Sequence, residues 1–175
     1  FAELGIIGAL FDEEAGGFGG AGYDIAVVFE QLGRGLVVEP FLAALMAGTA
    51  LAADGGHQAL LDEVMSGQAV IALAHGEPAS RYSLSQVDTT AEAGGDGYVI
   101  NGNKAVVISG DTADQLLVSA RTSGDRDDAQ GLSLFLVPAD ADGVHVRGYP
   151  TVDGYRAAEI ALKDVKVSVS ARVGD

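Results

Sequence analysis

The segment at 94–110, GGDGYVINGNKAVVISG, restricts the folds open to this chain more than any other. Asp96-Gly97 and Asn101-Gly102 are two-residue turn signals, because type I′ turns need positive φ angles that Gly and Asn tolerate. The runs that follow them, 98–100 and 105–108, are rich in β-forming residues. The segment therefore predicts a β-hairpin, and the function of the chain is sought around it.

The sequence pattern changes from helical to β-type near Gly67. Before it, apolar residues recur at helical spacing or form an almost wholly apolar run, which predicts helices at 23–36, 40–53 and 57–65. After it, short β-rich runs alternate with turn residues about every ten positions, as in a barrel or sandwich. The predicted strands are 70–74, 89–93, 98–101, 104–108, 115–121, 132–137, 144–147, 158–162 and 165–169. We expect an α+β chain, with an incomplete helical domain at 1–67 and an all-β, barrel-like domain at 68–175.

The helix predicted at 40–53 is apolar on nearly every face, so every face needs cover. The few other predicted helices cannot supply it, and the chain does not begin with Met. We therefore expect a fragment of a longer protein, with the cover supplied by the rest of that protein or by a partner subunit.

Charge and composition exclude several classes of function. A net charge of −15 and a pI near 4.3 argue against binding to nucleic acid, whose phosphates need a basic surface. The chain has no cysteine, no basic leader before an apolar core, and no apolar run of the roughly 20 residues that span a bilayer. A cytoplasmic location without a membrane span is the expectation.

Several apparent motifs lack the context that their chemistry needs. GFGGAG at 17–22 has the spacing of a dinucleotide fingerprint, but three acidic residues precede it and no strand does. We interpret it as a surface loop. His57, His75 and His145 lie too far apart for a metal-ligand motif, and the serines lack a nucleophile-elbow context.

Two stretches remain as candidates for a site. ALAHGEP at 72–78 is a strand end stopped by Pro78, with Glu77 either solvated or part of a loop whose exposed amides bind an anion or a polar ring edge. VVISG at 106–110 is either barrel core or the wall of a site. The residues alone leave these alternatives open, with the structural interpretation favoured for both.

Taken in order, these stretches resemble the acyl-CoA dehydrogenase family over essentially the whole chain. EQLGR at 30–34 is similar to the family's "eELgr", 71–78 to "alTEP", and 96–110 to "dgYvlnGxKxwiTnG". The N-terminal 4–10 and 13–19 are similar to "lGllg…peeyGGlG". Further matches follow in the family's order at 113–114, 131–137 and 164–167.

The resemblance implies a three-domain fold, of which this chain holds part of the N-terminal helical domain and the middle β domain. It implies an FAD-dependent oxidoreductase of lipid metabolism that desaturates an acyl-CoA thioester. A carboxylate base removes the α proton, and the β hydrogen leaves as hydride to flavin N5. The base would lie in a C-terminal helical bundle beyond Asp175. A homo- or hetero-oligomer of tetramer type and an electron-transfer acceptor are implied as partners.

The resemblance also implies where the flavin would lie, and there this sequence departs from the family. Gly76 and Ile108 stand where the family has threonine hydroxyls against the flavin, and Val106 stands where it has a stacking tryptophan. With His75 and Ser109 beside them, these residues are the candidate cofactor site, and we expect the two strand ends to form one wall of a flavin-shaped cleft. A branched alkyl group offers no hydrogen bond, so each unpaired flavin group would cost roughly 1–3 kcal/mol.

Arg81 and Tyr82 are the candidate substrate-binding residues, since they replace the phosphate-holding "GSD" that follows "TEP" in the family. Two hypotheses follow for the whole protein. The first is a flavin-dependent acyl-CoA dehydrogenase subunit, favoured by the retention of Glu77-Pro78 and of the turn at Gly110. The second is a non-catalytic partner subunit of a hetero-oligomeric dehydrogenase, favoured by the three departures just described.

Overall fold

The computed structural model describes residues 1–20 and 22–174. Ala21, in the glycine-rich stretch interpreted as a surface loop, and Asp175, at the end of the expected β domain, lie outside the described residues. The chain divides into two compact units, Phe1–Val70 and Ile71–Asp175. The α-helices belong to the first unit, and the sheet and a short 3₁₀ helix at Val169–Ala171 belong to the second.

The first unit is helical. Short 3₁₀ helices at Ala2–Leu4 and Ile6–Leu10 precede α1 (Gly22–Arg34), α2 (Phe41–Asp54) and α3 (Gln58–Met65). Their apolar faces meet around a cluster whose buried members are Leu10, Phe11, Ala15, Phe41, Leu61 and Met65.

α2 carries the nearly all-apolar run and lies close to this cluster. Gly48 lets the Phe11 ring approach its backbone, because a Cβ there would lie 2.5 Å from Phe11 Cζ. Six of the fourteen residues of α2 are buried, whereas Met46 remains 45% exposed. Within the described residues, no helix is long and apolar enough to cross a membrane.

The second unit is an eight-stranded mixed sheet, which confirms the predicted helical N-terminus followed by a β domain. The strand order is β6-β7-β3-β2-β4-β5-β8, and β1 pairs in parallel with β4. The strands are β1 (Ile71–Ala74), β2 (Thr90–Gly94), β3 (Gly97–Ile108), β4 (Gln115–Arg121), β5 (Leu132–Pro138), β6 (Val144–Pro150), β7 (Arg156–Ser168) and β8 (Arg172–Val173).

One apolar core lies against the inner faces of these strands. It draws on six of them, β1 to β5 and β7, and includes a tilted aromatic pair between Tyr98 and Phe135 with ring centroids 4.9 Å apart. The alternation of buried and exposed residues along β3 and β7 follows from the two-residue period of a strand with one face on the core. This period makes the register of the long strands specific.

The predicted turn at Asn101-Gly102 is wrong. The hairpin joins β2 to β3 through Gly95-Asp96, and β3 then continues without a turn to Ile108. The Asn101 side chain instead pairs with Asp164 of β7: the Asp164 amide donates to Asn101 Oδ1 over 2.8 Å. The β3–β7 register shifts just there, so a side-chain bridge and an irregularity take the place of the turn.

Gly102 is required by close packing rather than by a turn. A Cβ at this position would collide with the side chain and Cα of buried Thr89. The glycine signal in the sequence is therefore real, but its cause is the approach of a neighbouring segment.

We expect Gly102→Ala to lower the free energy of unfolding by about 1–3 kcal/mol, because the added methyl group must displace the buried Thr89 segment. Thermal and urea unfolding measure the effect. The matched control is Gly33→Ala in α1, where a Cβ meets no atom within 4 Å. It should raise stability by about 0.5–1 kcal/mol through helix propensity. Equal effects from both substitutions would contradict the packing explanation.

Candidate functional site

A buried ion pair lies where β1 ends beside β3. Lys104 Nζ lies 2.8 Å from Glu77 Oε1, and the lysine is only 1% exposed. The other two ammonium hydrogens are directed at Ser119 Oγ (3.2 Å) and at the carbonyl oxygen of His75 (3.3 Å). All three donors of the ammonium group are thus used inside the fold, which is the condition for a lysine to be buried without a large penalty.

Glu77 is buried as well, so the interpretation of this residue as solvated is wrong. Its carboxylate accepts hydrogen bonds from Lys104, from the amides of Asp88 (2.7 Å) and Thr89 (3.0 Å), and from the Thr89 hydroxyl (2.6 Å). One side chain therefore closes the β1–β2 loop (75–89) at its base and ties it to β3. Charge-assisted bonds of this kind are stronger than neutral ones.

The surroundings shift the pKa values of both partners. Burial raises the pKa of Glu77, but the hydrogen bonds from Lys104, Thr89 and Asp88 together outweigh it, and the net pKa lies below the usual value. Burial lowers the pKa of Lys104, and the interactions with Glu77 and Asp88 oppose that change. The pair is charged because each partner stabilises the charge of the other, in place of the solvation that water gives to an exposed charge.

His75 extends the network toward β4. Its Nδ1 lies 2.9 Å from Ser119 Oγ. Since Ser119 accepts a hydrogen from Lys104, its own hydrogen is free to be donated to His75 Nδ1. This arrangement favours a neutral imidazole with its hydrogen on Nε2. Burial and the charge of Lys104 lower the pKa of His75, against smaller opposing contributions from Glu77 and the backbone of Leu84.

Gly76 and Val106, two of the candidate cofactor residues, lie close to each other. The Ala105 amide donates to the Gly76 carbonyl over 2.8 Å, so the end of β1 lies against β3 one residue before Val106. Val106 is 63% exposed and has a φ of 53°. A β-branched residue rarely adopts that left-handed conformation, which here coincides with a register shift between β3 and β7.

Ile108 and Ser109 end β3 further along the strand. Ile108 is half-buried, pairs with Ala157 of β7, and lies three residues beyond the point where Gly76 meets β3. Ser109 is buried with a φ of 60°, and its amide donates to the Arg156 carbonyl over 2.9 Å. The structure thus places His75 and Gly76 against Lys104 and Ala105 of β3, next to Val106 and at least three residues before the end of the strand.

Arg81 and Tyr82 lie together near the tip of the β1–β2 loop, and both side chains are exposed, Tyr82 to 99%. The loop that carries them is nevertheless held in place by a buried side chain. Arg121, buried at the end of β4, donates from Nη2 to the Ser85 carbonyl over 2.7 Å. Sequence reasoning did not select Arg121, although an arginine that ends a largely apolar strand was a visible signal.

The ion pair was also missed. Lys104 was the only charged residue in the predicted strand 104–108, and Glu77 came three residues after the end of the predicted strand 70–74. One isolated charge of each sign beside a buried strand indicates a buried pair, but their contact joins elements 27 positions apart. That distance along the chain hides the contact from local patterns.

Comparison with known proteins gives concordant results. The family model "Acyl-CoA dehydrogenase, middle domain" matches residues 72–165. The chain is 31% identical, over 99% of its length and 48% of the relative's, to the probable acyl-CoA dehydrogenase YngJ of Bacillus subtilis.

Two solved structures share the fold over 99% of this chain. One is the Tcur3481-Tcur3483 steroid ACAD, 29% identical with a TM-score of 0.89 and 46% of its chain covered. The other is the ChsE4-ChsE5 complex of Mycobacterium tuberculosis, 25% identical with a TM-score of 0.86 and 47% of its chain covered. The chain spans about half the length of these relatives.

We expect Glu77→Gln to destabilise the β unit by about 3–5 kcal/mol, because Lys104 would keep a buried, unpaired charge. Urea unfolding measures the change. The control is Glu159→Gln, which breaks an exposed pair with Arg147 and should cost about 0–1 kcal/mol. The double variant Glu77→Gln/Lys104→Met removes both charges and should be more stable than Glu77→Gln alone. A loss as small as that of the control would contradict the assigned role.

The lowered pKa of His75 predicts acid sensitivity. Below the ordinary pKa of 6.5, His75 binds a proton in the unfolded chain but stays neutral in the folded chain. The free energy of unfolding therefore falls as the pH drops from 6.5 toward the pKa of the folded state. His75→Gln should flatten the stability–pH curve over this range. His145→Gln, at an exposed position of β6, serves as the control and should leave the curve unchanged. Urea midpoints at several pH values provide the measurement.

Proposed function

Because the chain belongs to the acyl-CoA dehydrogenase family, we propose that it is part of an enzyme that desaturates an acyl-CoA thioester with FAD, and that a partner subunit rather than this chain holds the flavin. Residues 1–67 and 68–175 would then belong to the N-terminal and middle domains of one subunit. The observation that carries the proposal is that Gly76, Val106 and Ile108 offer no side-chain hydrogen bonds, and that the amides of Ala105, Ser109 and Gly110 beside them are already bonded within the fold.

The side chains at those positions do not fit a flavin. Gly76 and Ile108 lack the hydroxyl groups that the family resemblance places there, and Val106 supplies a small aliphatic group in place of an aromatic ring. Space is also limited at the first position, since a Cβ on Gly76 would lie 3.2 Å from the Ala105 carbonyl oxygen. A polar ring edge would meet a largely apolar wall.

The nearby backbone does not compensate. The Ala105 amide is bonded to the Gly76 carbonyl, the Ser109 amide to the Arg156 carbonyl, and the Gly110 amide to the Val107 carbonyl. These groups are satisfied inside the fold, so binding a flavin through them would require breaking existing bonds. The lost hydroxyl donors therefore have no evident replacement among these amides.

The features retained from the family have structural explanations. Glu77 is fully used by its four hydrogen bonds to Lys104, Thr89 and Asp88. Gly110 is needed because a Cβ there would lie 2.8 Å from Val107 Cγ1. Their retention supports the fold and no longer argues that this chain binds a cofactor. The departures at Val106 and Ile108 have no such structural explanation.

A hetero-oligomer supplies what this chain lacks. Two solved structures with the same fold carry two-component names, Tcur3481-Tcur3483 and ChsE4-ChsE5. We propose a similar assembly, in which FAD in the partner accepts the hydride and passes electrons to an electron-transfer acceptor. The base would come from a C-terminal bundle. In this chain Arg81 and Tyr82 would contact the acyl-CoA, with the guanidinium suited to phosphate and the phenol ring to stacking.

The second candidate function is an FAD-dependent dehydrogenase subunit that holds its own flavin. The observation that favours it is the strained, exposed backbone at Val106, with a φ of 53°. Backbone strain persists mainly where surrounding structure imposes it, and it is concentrated at ligand sites. A β-branched residue held in this conformation is consistent with a wall shaped for a ligand.

Flavin content separates the two candidates. Full-length protein purified alone should carry no flavin, and its complex with the partner subunit should carry flavin in proportion to the partner. Absorbance and chromatography of the extracted cofactor measure both. Stoichiometric flavin in the lone subunit would refute the partner proposal and support the second candidate.

Substituting Ile108 tests the placement of the cofactor wall. Ile108→Thr restores a hydroxyl and should raise the affinity of the lone subunit for added FAD by about tenfold, the equivalent of one buried hydrogen bond. Ile108→Val is the matched control, since it has the shape of threonine without the hydroxyl, and should change nothing. If titration with FAD shows no difference between the two variants, Ile108 does not face the flavin position.

A further inference from the structure

The β1–β2 loop presents Arg81 and Tyr82 on a surface that is held in place before any ligand arrives. At one end, Ser80 Oγ accepts from the Glu77 amide over 3.0 Å. At the other end, the Glu77 carboxylate binds the amide of Asp88. Between these points the loop exposes large side chains instead of burying them, so its order is not explained by its own packing.

Arg121 provides the remaining support, and it joins this loop to a second one. The guanidinium donates from Nη2 to the carbonyls of Ser85 (2.7 Å) and Arg126 (3.1 Å), and from Nη1 to the carbonyl of Gln130 (2.7 Å). Arg126 and Gln130 belong to the β4–β5 loop (122–131). The Val87 amide also donates to the Arg126 carbonyl, over 3.0 Å.

The chemistry of this contact requires arginine. Arg121 is only 7% exposed, and its three hydrogen-bond acceptors in the described part of the chain are main-chain carbonyls. A planar guanidinium reaches carbonyls in several directions at once, whereas a lysine ammonium on a flexible stem does not. The side chain therefore fixes the relative position of two loops.

Arg81 is the exposed cation that these loops offer to a ligand. Arg126 lies 3.3 Å from Asp88 and 3.7 Å from Asp127, and Arg121 is buried with its donors directed at main-chain carbonyls. An exposed guanidinium is suited to a phosphate group, which it can bind through two parallel hydrogen bonds.

We propose that Arg121 is a positioning residue, which holds the Arg81–Tyr82 surface in its binding conformation so that the phosphate-bearing nucleotide end of an acyl-CoA meets a preformed site. This inference rests on the proposed contact of Arg81 and Tyr82 with acyl-CoA. Because the loops are already joined, binding loses less conformational entropy than it would with a mobile loop. The role is indirect, since Arg121 acts through the loop.

The test uses the full-length protein in its native assembly, with coenzyme A as the probe. Isothermal titration gives the Kd, and hydrogen exchange follows the amide of Val87 against the core strands β3 and β7. Arg121→Met should weaken coenzyme A binding by about tenfold and speed exchange at Val87, with β3 and β7 unchanged. Arg121→Lys keeps the charge without the planar fork and should also lose affinity, though less.

Two further variants separate the possible causes. Arg81→Ala should weaken binding without changing exchange at Val87, because it removes a contact and leaves the loop held. Arg147→Met, an exposed arginine of β6 paired with Glu159, should change neither measurement. If Arg121→Met does not fold, Arg121→Lys carries the test.

Three results would overturn the positioning role of Arg121. Wild-type affinity and wild-type exchange in Arg121→Lys would overturn the positioning role, and so would weakened binding with unchanged exchange at Val87. A wild-type assembly that does not bind coenzyme A would overturn it as well. Flavin in the lone subunit would instead refute the partner proposal, and it would leave the affinity and exchange results standing.

Discussion

The ion pair between Glu77 and Lys104 is the interaction on which the β unit depends. It joins the end of β1 to the middle of β3, and through Thr89 it holds the start of β2. A lone buried charge is very costly, so neither side chain is tolerable without the other. The pair therefore specifies how these three segments meet, in a way that an apolar contact of the same size would not. His75 and Ser119 complete it by using the remaining donors of the ammonium group.

This constraint changes how family resemblance should be interpreted in this chain. A glutamate retained in a functional motif is ordinarily taken as support for function. Here the geometry gives Glu77 a sufficient structural reason to persist, independent of any cofactor. At positions 76 and 108, where the family resemblance places hydroxyl groups, and at 106, where it places an aromatic ring, this chain has glycine, isoleucine and valine. Under the proposed function, this stretch keeps the residue that supports the fold, and the family's cofactor-contacting residues are replaced.

Local patterns predicted most of the architecture. Helical spacing located α1, α2 and α3, and β-rich runs located most of the strands, because these periodicities depend on near neighbours in the chain. The runs did not show that 98–101 and 104–108 form one strand, β3, or that 158–162 and 165–169 form one strand, β7, and they did not predict β8. They failed at Asn101-Gly102, where a turn signal was overridden by the pairing of Asn101 with Asp164 and by the approach of Thr89 to Gly102. They failed again at Glu77, where a charged residue before a proline was taken as solvated.

The sequence by itself determined the order of helices and strands, the change from a helical to a β unit, the acidic charge and the family, since each is carried by composition or by short motifs. Only the tertiary structure decided that Glu77 and Lys104 are a buried pair, that Gly76 lies against Ala105, and that Arg121 joins two loops. The physical reason is the same in each case. These contacts link segments separated by many residues, and the energy of a charge or a donor depends on whether a partner or water surrounds it.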